Sequence, residues 1–243
     1  MLYQEYLEQV EKVLNEVKRT QSRKIEEAAE LVARKFAENG ILYVFGCGHS
    51  HIIGEDLFYR AGGNAPVCAM LDGDLMLHEG AVKSSHYERM SGLARPIFER
   101  YGITKQDVLL VVSTSGINSV PIEMAMCAIE KEIPVIAIVS QAYADDLSRH
   151  ESGKKLHDVA DILLDNCVCH GDASVAVGDS AIRVGPISTI SSCMIAQSIV
   201  AQADENLWDM GIMPPVYRSG NIPGGMEQNQ SYIDKYLPRM KHL

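Results

Sequence analysis

The sequence predicts an α/β fold, a doubly wound parallel sheet flanked by helices, with a pair of helices ahead of it. Three observations carry that expectation. Short apolar runs recur at residues 41–45, 65–70, 108–112, 134–139 and 160–164, and they lack polar alternation, as strands buried on both faces do. Stretches of helical periodicity separate the runs, which makes the connections crossovers and the sheet parallel. Two of the runs stop abruptly in special turns, Gly46-Cys47-Gly48-His49-Ser50 and Ser113-Thr114-Ser115-Gly116, each of which opens a helix.

The totals narrow the class. A chain of 243 residues with 47% hydrophobic and 22% charged content fits one α/β domain with a substantial core. We read residues 1–39 as N-terminal helices, 40–211 as the α/β core and 212–243 as a tail. A net charge of −10, from 32 acidic and 22 basic residues, argues against nucleic acid or an anionic membrane as the main partner. No run of about 18 apolar residues occurs, and the acidic amphipathic start is unlike a secretory signal, so a cytoplasmic protein is expected. Six cysteines without CxxC spacing read as reduced, buried thiols.

In chain order, residues 2–19 place Leu2, Tyr6, Val10, Val13, Leu14 and Val17 on one helical face, and a second helix over 22–38 ends at Asn39-Gly40. The strand at 41–45 leads through its glycine turn into a helix over 51–61. After the strand at 65–70, residues 71–86 are polar and irregular, longer than an idle connection. A helix over 87–101 closes at Gly102. Beyond the strand at 108–112 come a helix over 120–131, a strand, a polar segment at 145–155 read as a helical turn, and the strand at 160–164. Strand-like residues at 174–177 precede the longest late helix, over 186–211, and the tail ends in a short helix.

Both turns follow strands and open helices, so they lie where open parallel sheets bind ligands. A helix start offers free N–H groups and a positive dipole end, and Ser113, Thr114 and Ser115 add hydroxyls beside Gly116. That combination suits an anion, foremost a phosphate. Helix capping alone would require one hydroxyl, not several. Neither turn carries Lys or Arg, so dipoles and hydroxyls must do the holding. Gly46-x-Gly48 also matches the start of a dinucleotide fingerprint, with Asp72 where a ribose-binding acid would sit. His51 in place of the third glycine weakens that match, and a nucleotide-dependent dehydrogenase is the remaining rival.

Strand-GCGHS-helix followed by strand-STSGxNS-helix resembles the sugar isomerase (SIS) domain over residues 22–210, nearest to its phosphoheptose-isomerase-like members. The resemblance implies a flavodoxin-like sandwich that binds a sugar phosphate without a cofactor, in a homodimer or homotetramer with sites near subunit interfaces. It places phosphate contacts on Gly48, Ser50, Ser113, Thr114, Ser115, Asn118 and Ser119. Asn118 stands where the family usually has threonine. Members of this kind also draw a histidine from the last helix, yet residues 187–209 contain none.

Aldose–ketose isomerisation requires a base that moves a proton between adjacent carbons and a group that handles the oxygens. Glu55, one turn into the first helix, is the first choice for the base; a solvated carboxylate paired with Arg60 is the plain reading. Its partner would come from His49, from the adjacent pair His78 and Glu79, from His170, or from Glu205 on the last helix. A zinc site assembled from His49, His51, Cys169 and His170 is disfavoured, because the spacing matches no recognised pattern. The competing readings are a phosphosugar sensor without turnover, and a lyase or etherase acting on an amino-sugar phosphate.

Overall fold

The computed structural model describes all 243 residues. Strands β1 (Leu42–Gly46), β2 (Val67–Met70), β3 (Val108–Val112), β4 (Val135–Val139) and β5 (Ile162–Asp165) form one parallel sheet in the order β2-β1-β3-β4-β5. Chain order reverses between β1 and β3, which pair from Leu42 opposite Val108 to Gly46 opposite Val112. The crevice of such a sheet therefore opens above the carboxyl ends of those two strands. Both special turns lie there.

Period-two alternation divides each strand between two cores. Tyr43, Phe45, Leu109 and Val111 face α4 (Ala94–Tyr101) and α5 (Ser119–Glu130), through Phe98, Ile122 and Met124. Leu42, Val44, Leu110 and Ile138 face α1 (Leu2–Ala37), α2 (His51–Leu57) and α7 (Ser188–Asp209). Ala28, Ala29 and Ala33 on α1 meet Ala196 and Ala203 on α7, and these small side chains let the two long helices pack closely. Burial on both faces is why the strands read as unbroken apolar runs.

The N-terminal pair of helices is in fact one. α1 runs 36 residues without interruption, roughly 54 Å at 1.5 Å per residue. At the join between the two expected helices the hydroxyls bond back into the helix: Thr20 Oγ1 donates to Glu16 O at 2.8 Å and Ser22 Oγ to Lys18 O at 2.6 Å. With neither Gly nor Pro between them, such back-bonding leaves the helix intact.

The irregular stretch at 71–86 is more ordered than its composition implies. It contains two 3-10 turns, Gly73–Leu75 and Leu77–Glu79, and most of helix α3 (Ala81–Tyr87). Ser84 holds it together, buried, with Oγ donating to Leu75 O at 2.8 Å. The helix read over 87–101 starts only at Ala94. Strand-like residues at 174–177 do form β6 (Ala173–Ala176), but it pairs antiparallel with β7 (Arg183–Pro186) outside the main sheet. This hairpin props the first half of α1, where Tyr6 OH donates to Pro186 O at 2.9 Å. The helical turn expected at 145–155 forms instead at α6 (Leu156–Val159), and the chain ends in α8 (Gly225–Tyr236).

At the amino edge of the sheet, Asp107 is fully buried. It accepts from Ile41 N at 2.9 Å, from Thr104 N and Oγ1 at 2.8 and 2.9 Å, and from Arg239 Nη2 at 2.6 Å. One carboxylate thus joins the entries of β1 and β3 and ties the C-terminal tail to them.

Candidate functional site

The first turn is built by close backbone approach. A Cβ on Gly46 would lie 2.5 Å from the Ser50 carbonyl, and Gly48 has φ +55°, so the chain doubles back before α2 begins. His51 is buried, and its Nδ1 faces the Gly48 carbonyl. A carbonyl only accepts, so Nδ1 carries the proton and donates. Nε2 is left facing Glu55 Oε1 at 3.7 Å. His49 is exposed and Ser50 partly so. The segment after β2 folds over this turn: Leu77 reaches Gly48, and the His78 ring lies edge-on to His51 at 6.3 Å. Glu79 is exposed beside Gly73.

The second turn points its carbonyls away from the crevice. Thr114 O accepts from Ser140 N, Gly116 O from Leu156 N and Ile117 O from Arg149 N, each at 2.8 Å. Gly116 N and Val120 N are taken by Ser113 Oγ and Glu88 O, but the N–H groups of Thr114, Ser115 and Ser119 have no protein partner and remain for a ligand. Gly116 has φ +64°, and its missing Cβ would come within 2.9 Å of the His157 ring, which buttresses the turn from below. His157 Nε2 donates to Ser140 O at 3.2 Å, while its buried Nδ1 has no partner.

The hydroxyls expected to face one anion divide into two sets. Thr114, Ser115 and Ser50 are partly exposed. Ser113 is buried, and its Oγ accepts from Gly116 N at 3.3 Å, so it closes the turn. Ser119 is fully buried, donates to Arg149 O at 3.4 Å and receives the Ser91 hydroxyl at 3.5 Å. It belongs to the wall. Asn118 is engaged at both ends: Nδ2 donates to Glu88 Oε1 at 2.6 Å, and Oδ1 accepts from Arg149 Nη1 at 2.6 Å. Of the expected phosphate contacts, Asn118 and Ser119 make their hydrogen bonds inside the protein, and Ser113 accepts one there.

Two residues of this network were not legible in the sequence. Glu88, just beyond α3, is partly buried, and its backbone carbonyl accepts from Val120 N at 3.1 Å. Burial raises its pKa, against the opposing influence of Asn118, Arg89 and Arg149. Its charge also reaches Cys47 in the first turn, where burial, Glu88 and Asp72 together raise the thiol's pKa. Glu88 touches the second turn through Asn118 and Val120, and helix α3 just before it packs against the first turn. Arg149 corrects the expectation of wholly neutral turns, since the loop at 145–155 carries a guanidinium to the second one.

Other expectations fall away from the crevice. Glu205 adjoins Asp204, whose carboxylate takes a hydrogen bond from Asn64, ahead of β2 at the amino edge of the sheet. It sits 17 residues beyond the start of α7, about 25 Å along the helix. His170 pairs with Asp146 at 3.0 Å and stacks on Tyr143 with ring centres 4.3 Å apart. Asp72 accepts from Asp74 N at 3.2 Å and lies 3.5 Å from Arg100, so it is not free for a ribose. No group of three or more His, Cys, Asp or Glu side chains is arranged to hold a metal ion. No helix is long and apolar enough to cross a membrane.

With this geometry in view, the comparison with known families is decisive. The family model for the SIS domain matches residues 5–140, which includes both turns. The chain belongs to the SIS domain family. Relatives span it almost end to end: a UPF0309 protein of Caldanaerobacter subterraneus is 43% identical over 242 residues, covering 98% of each chain. Another, from Brucella canis, is 43% identical over 219 residues, covering 90% of this chain and 89% of the relative. Among solved structures, a phosphoheptose isomerase from Francisella tularensis shares the SIS fold at TM-score 0.55 and 19% identity, covering 82% of this chain and 95% of that one. A phosphoheptose isomerase from Neisseria gonorrhoeae does so at TM-score 0.53 and 17% identity, with the same coverage.

Proposed function

We propose that this SIS protein binds a sugar phosphate between its two turns and interconverts the aldose and ketose forms. The observation that carries the reading is the pairing of two strand–turn–helix units at the β1/β3 switch point within a chain of the SIS family. The phosphate is held by the unpartnered N–H groups of Thr114, Ser115 and Ser119 and by the hydroxyls of Thr114, Ser115 and Ser50. Gly48 allows the first turn to approach it. The sugar then extends toward α2, where Glu55 takes the proton from C2 and returns it to C1 of the enediol intermediate. His51, with Nδ1 fixed on Gly48, keeps Nε2 toward Glu55. His49, His78 and Glu79 line the outer rim and contact sugar hydroxyls. The same reading includes a homodimer or homotetramer, which light scattering would check.

The test is a thermal-shift screen of sugar phosphates followed by NMR in heavy water. A stabilising ligand that exchanges its C2 proton, with exchange lost in Glu55→Gln, is the expected result. Stabilisation without proton exchange would make the protein a sensor and overturn the isomerase reading. Full turnover in Glu55→Gln would remove that residue as the base. Saturable nicotinamide-nucleotide binding in place of sugar phosphate would favour the dehydrogenase.

A further inference from the structure

Isomerisation needs a second proton-transfer group, and α7 has no histidine to supply it. Of the acids and bases that the sequence offered, Glu205 and His170 lie elsewhere. The structure instead sets a carboxyl group beside the second turn, just past a helix that packs against the first. Glu88 is fixed on two sides, by Asn118 Nδ2 at 2.6 Å on its side chain and by Val120 N at 3.1 Å on its carbonyl. Asn118 cannot rotate away, because Arg149 holds its Oδ1 at 2.6 Å. Only one carboxylate oxygen is engaged by a side chain, and the other has no protein partner. Two partners arranged in series behind a single carboxyl group form a positioning device beyond what a surface glutamate requires.

We propose that Glu88 is the acid–base group that serves the substrate oxygens, positioned by Asn118 and Arg149. This rests on the isomerase reading and deepens it. The protonated Glu88 gives its proton to the aldose carbonyl oxygen at C1 as Glu55 removes the C2 proton, and the C2–H electron pair becomes the C1–C2 double bond of an enediol. Glu88, now a carboxylate, takes the proton from the hydroxyl at C2 as that carbon becomes the ketose carbonyl, while Glu55 delivers its proton to C1. Both residues end as they began, and no electrons leave the pair of molecules. Charged and titratable groups acting on or facing Glu88 are Arg89 on its own segment, Arg149 from the 145–155 loop and Cys47 from the first turn.

The experiment compares the full-length wild type with Glu88→Gln, Glu88→Asp and Asn118→Ala. Binding is read by thermal shift and turnover by NMR, from about pH 5 to about pH 9. Glu88→Gln should bind the sugar phosphate within about threefold of wild type while kcat falls about 100-fold or more, as expected for loss of an acid–base group. The alkaline limb of the wild-type kcat profile should vanish in this variant. Glu88→Asp should keep the limb at reduced kcat. Asn118→Ala removes a bond that favours the charged form, so its limb should move to higher pH. A kcat within about threefold of wild type in Glu88→Gln, or an unchanged alkaline limb, would overturn the assignment. Should Glu88→Gln fail to fold, an unmoved limb in Asn118→Ala does so. Wild-type protein that binds no sugar phosphate defeats the underlying reading, a failure visible before any variant is made.

Discussion

Asp107, below the amino ends of the strands, and Glu88, above their carboxyl ends, are carboxylates drawn out of water at opposite edges of one sheet. Asp107 has no exposed surface and receives four donors, one of them charged. Glu88 has one side-chain donor, and burial raises its pKa. The difference is one of saturation. A carboxylate whose lone pairs are all filled is a fastener, whereas one left partly unfilled retains a readily exchanged proton and room for a ligand.

The largest expected effect breaks the fastener. Asp107→Ala leaves the buried Ile41 N–H, the Thr104 N–H and hydroxyl and the Arg239 guanidinium without their acceptor, and should cost roughly 3–5 kcal/mol in denaturant unfolding. A loss below about 1 kcal/mol would mean that water or Arg239 rearrangement replaces it.

Next comes the buttress under the second turn. Gly116→Ala forces an alanine to φ +64° against the His157 ring and should lose about 1–3 kcal/mol. Adding His157→Ala should recover the part caused by the clash but not the backbone part, so a double-mutant cycle separates them. Full recovery would show that backbone strain at this position is negligible.

The smallest effect sharpens the comparison itself. A carboxyl group whose folded pKa is raised binds its proton more tightly when folded. Its contribution is therefore present below the unfolded value and is lost as pH rises through the folded one. Glu88 and Asp204 both carry raised values, through burial. Wild-type melting temperature should drift down across that window, and Glu88→Gln should flatten the drift while changing stability near neutral pH by no more than about 1 kcal/mol. Thermal scans across pH check this, and a Glu88→Gln variant with an unaltered pH slope would place the raised group elsewhere.

The sequence alone determined the sheet, because parallel strands buried on both faces must be apolar throughout, as Leu42, Tyr43, Val44 and Phe45 are. It also determined the positions of both turns, since a strand that ends in Gly46 or in Ser113 to Gly116 and opens a helix is a local pattern. Tertiary structure decided which of those hydroxyls remain available. Ser119 and Thr114 look alike in sequence, but only packing against Ser91 and Arg149 buries the first. Arg149 lies 31 residues from Asn118, and Glu88 lies 30, and no periodicity records such contacts. The continuity of α1 was likewise a matter of where Thr20 and Ser22 point their hydroxyls. Local pattern sets where backbone groups cluster; the contents of the crevice depend on side chains brought together from distant segments, which only the folded chain can assemble.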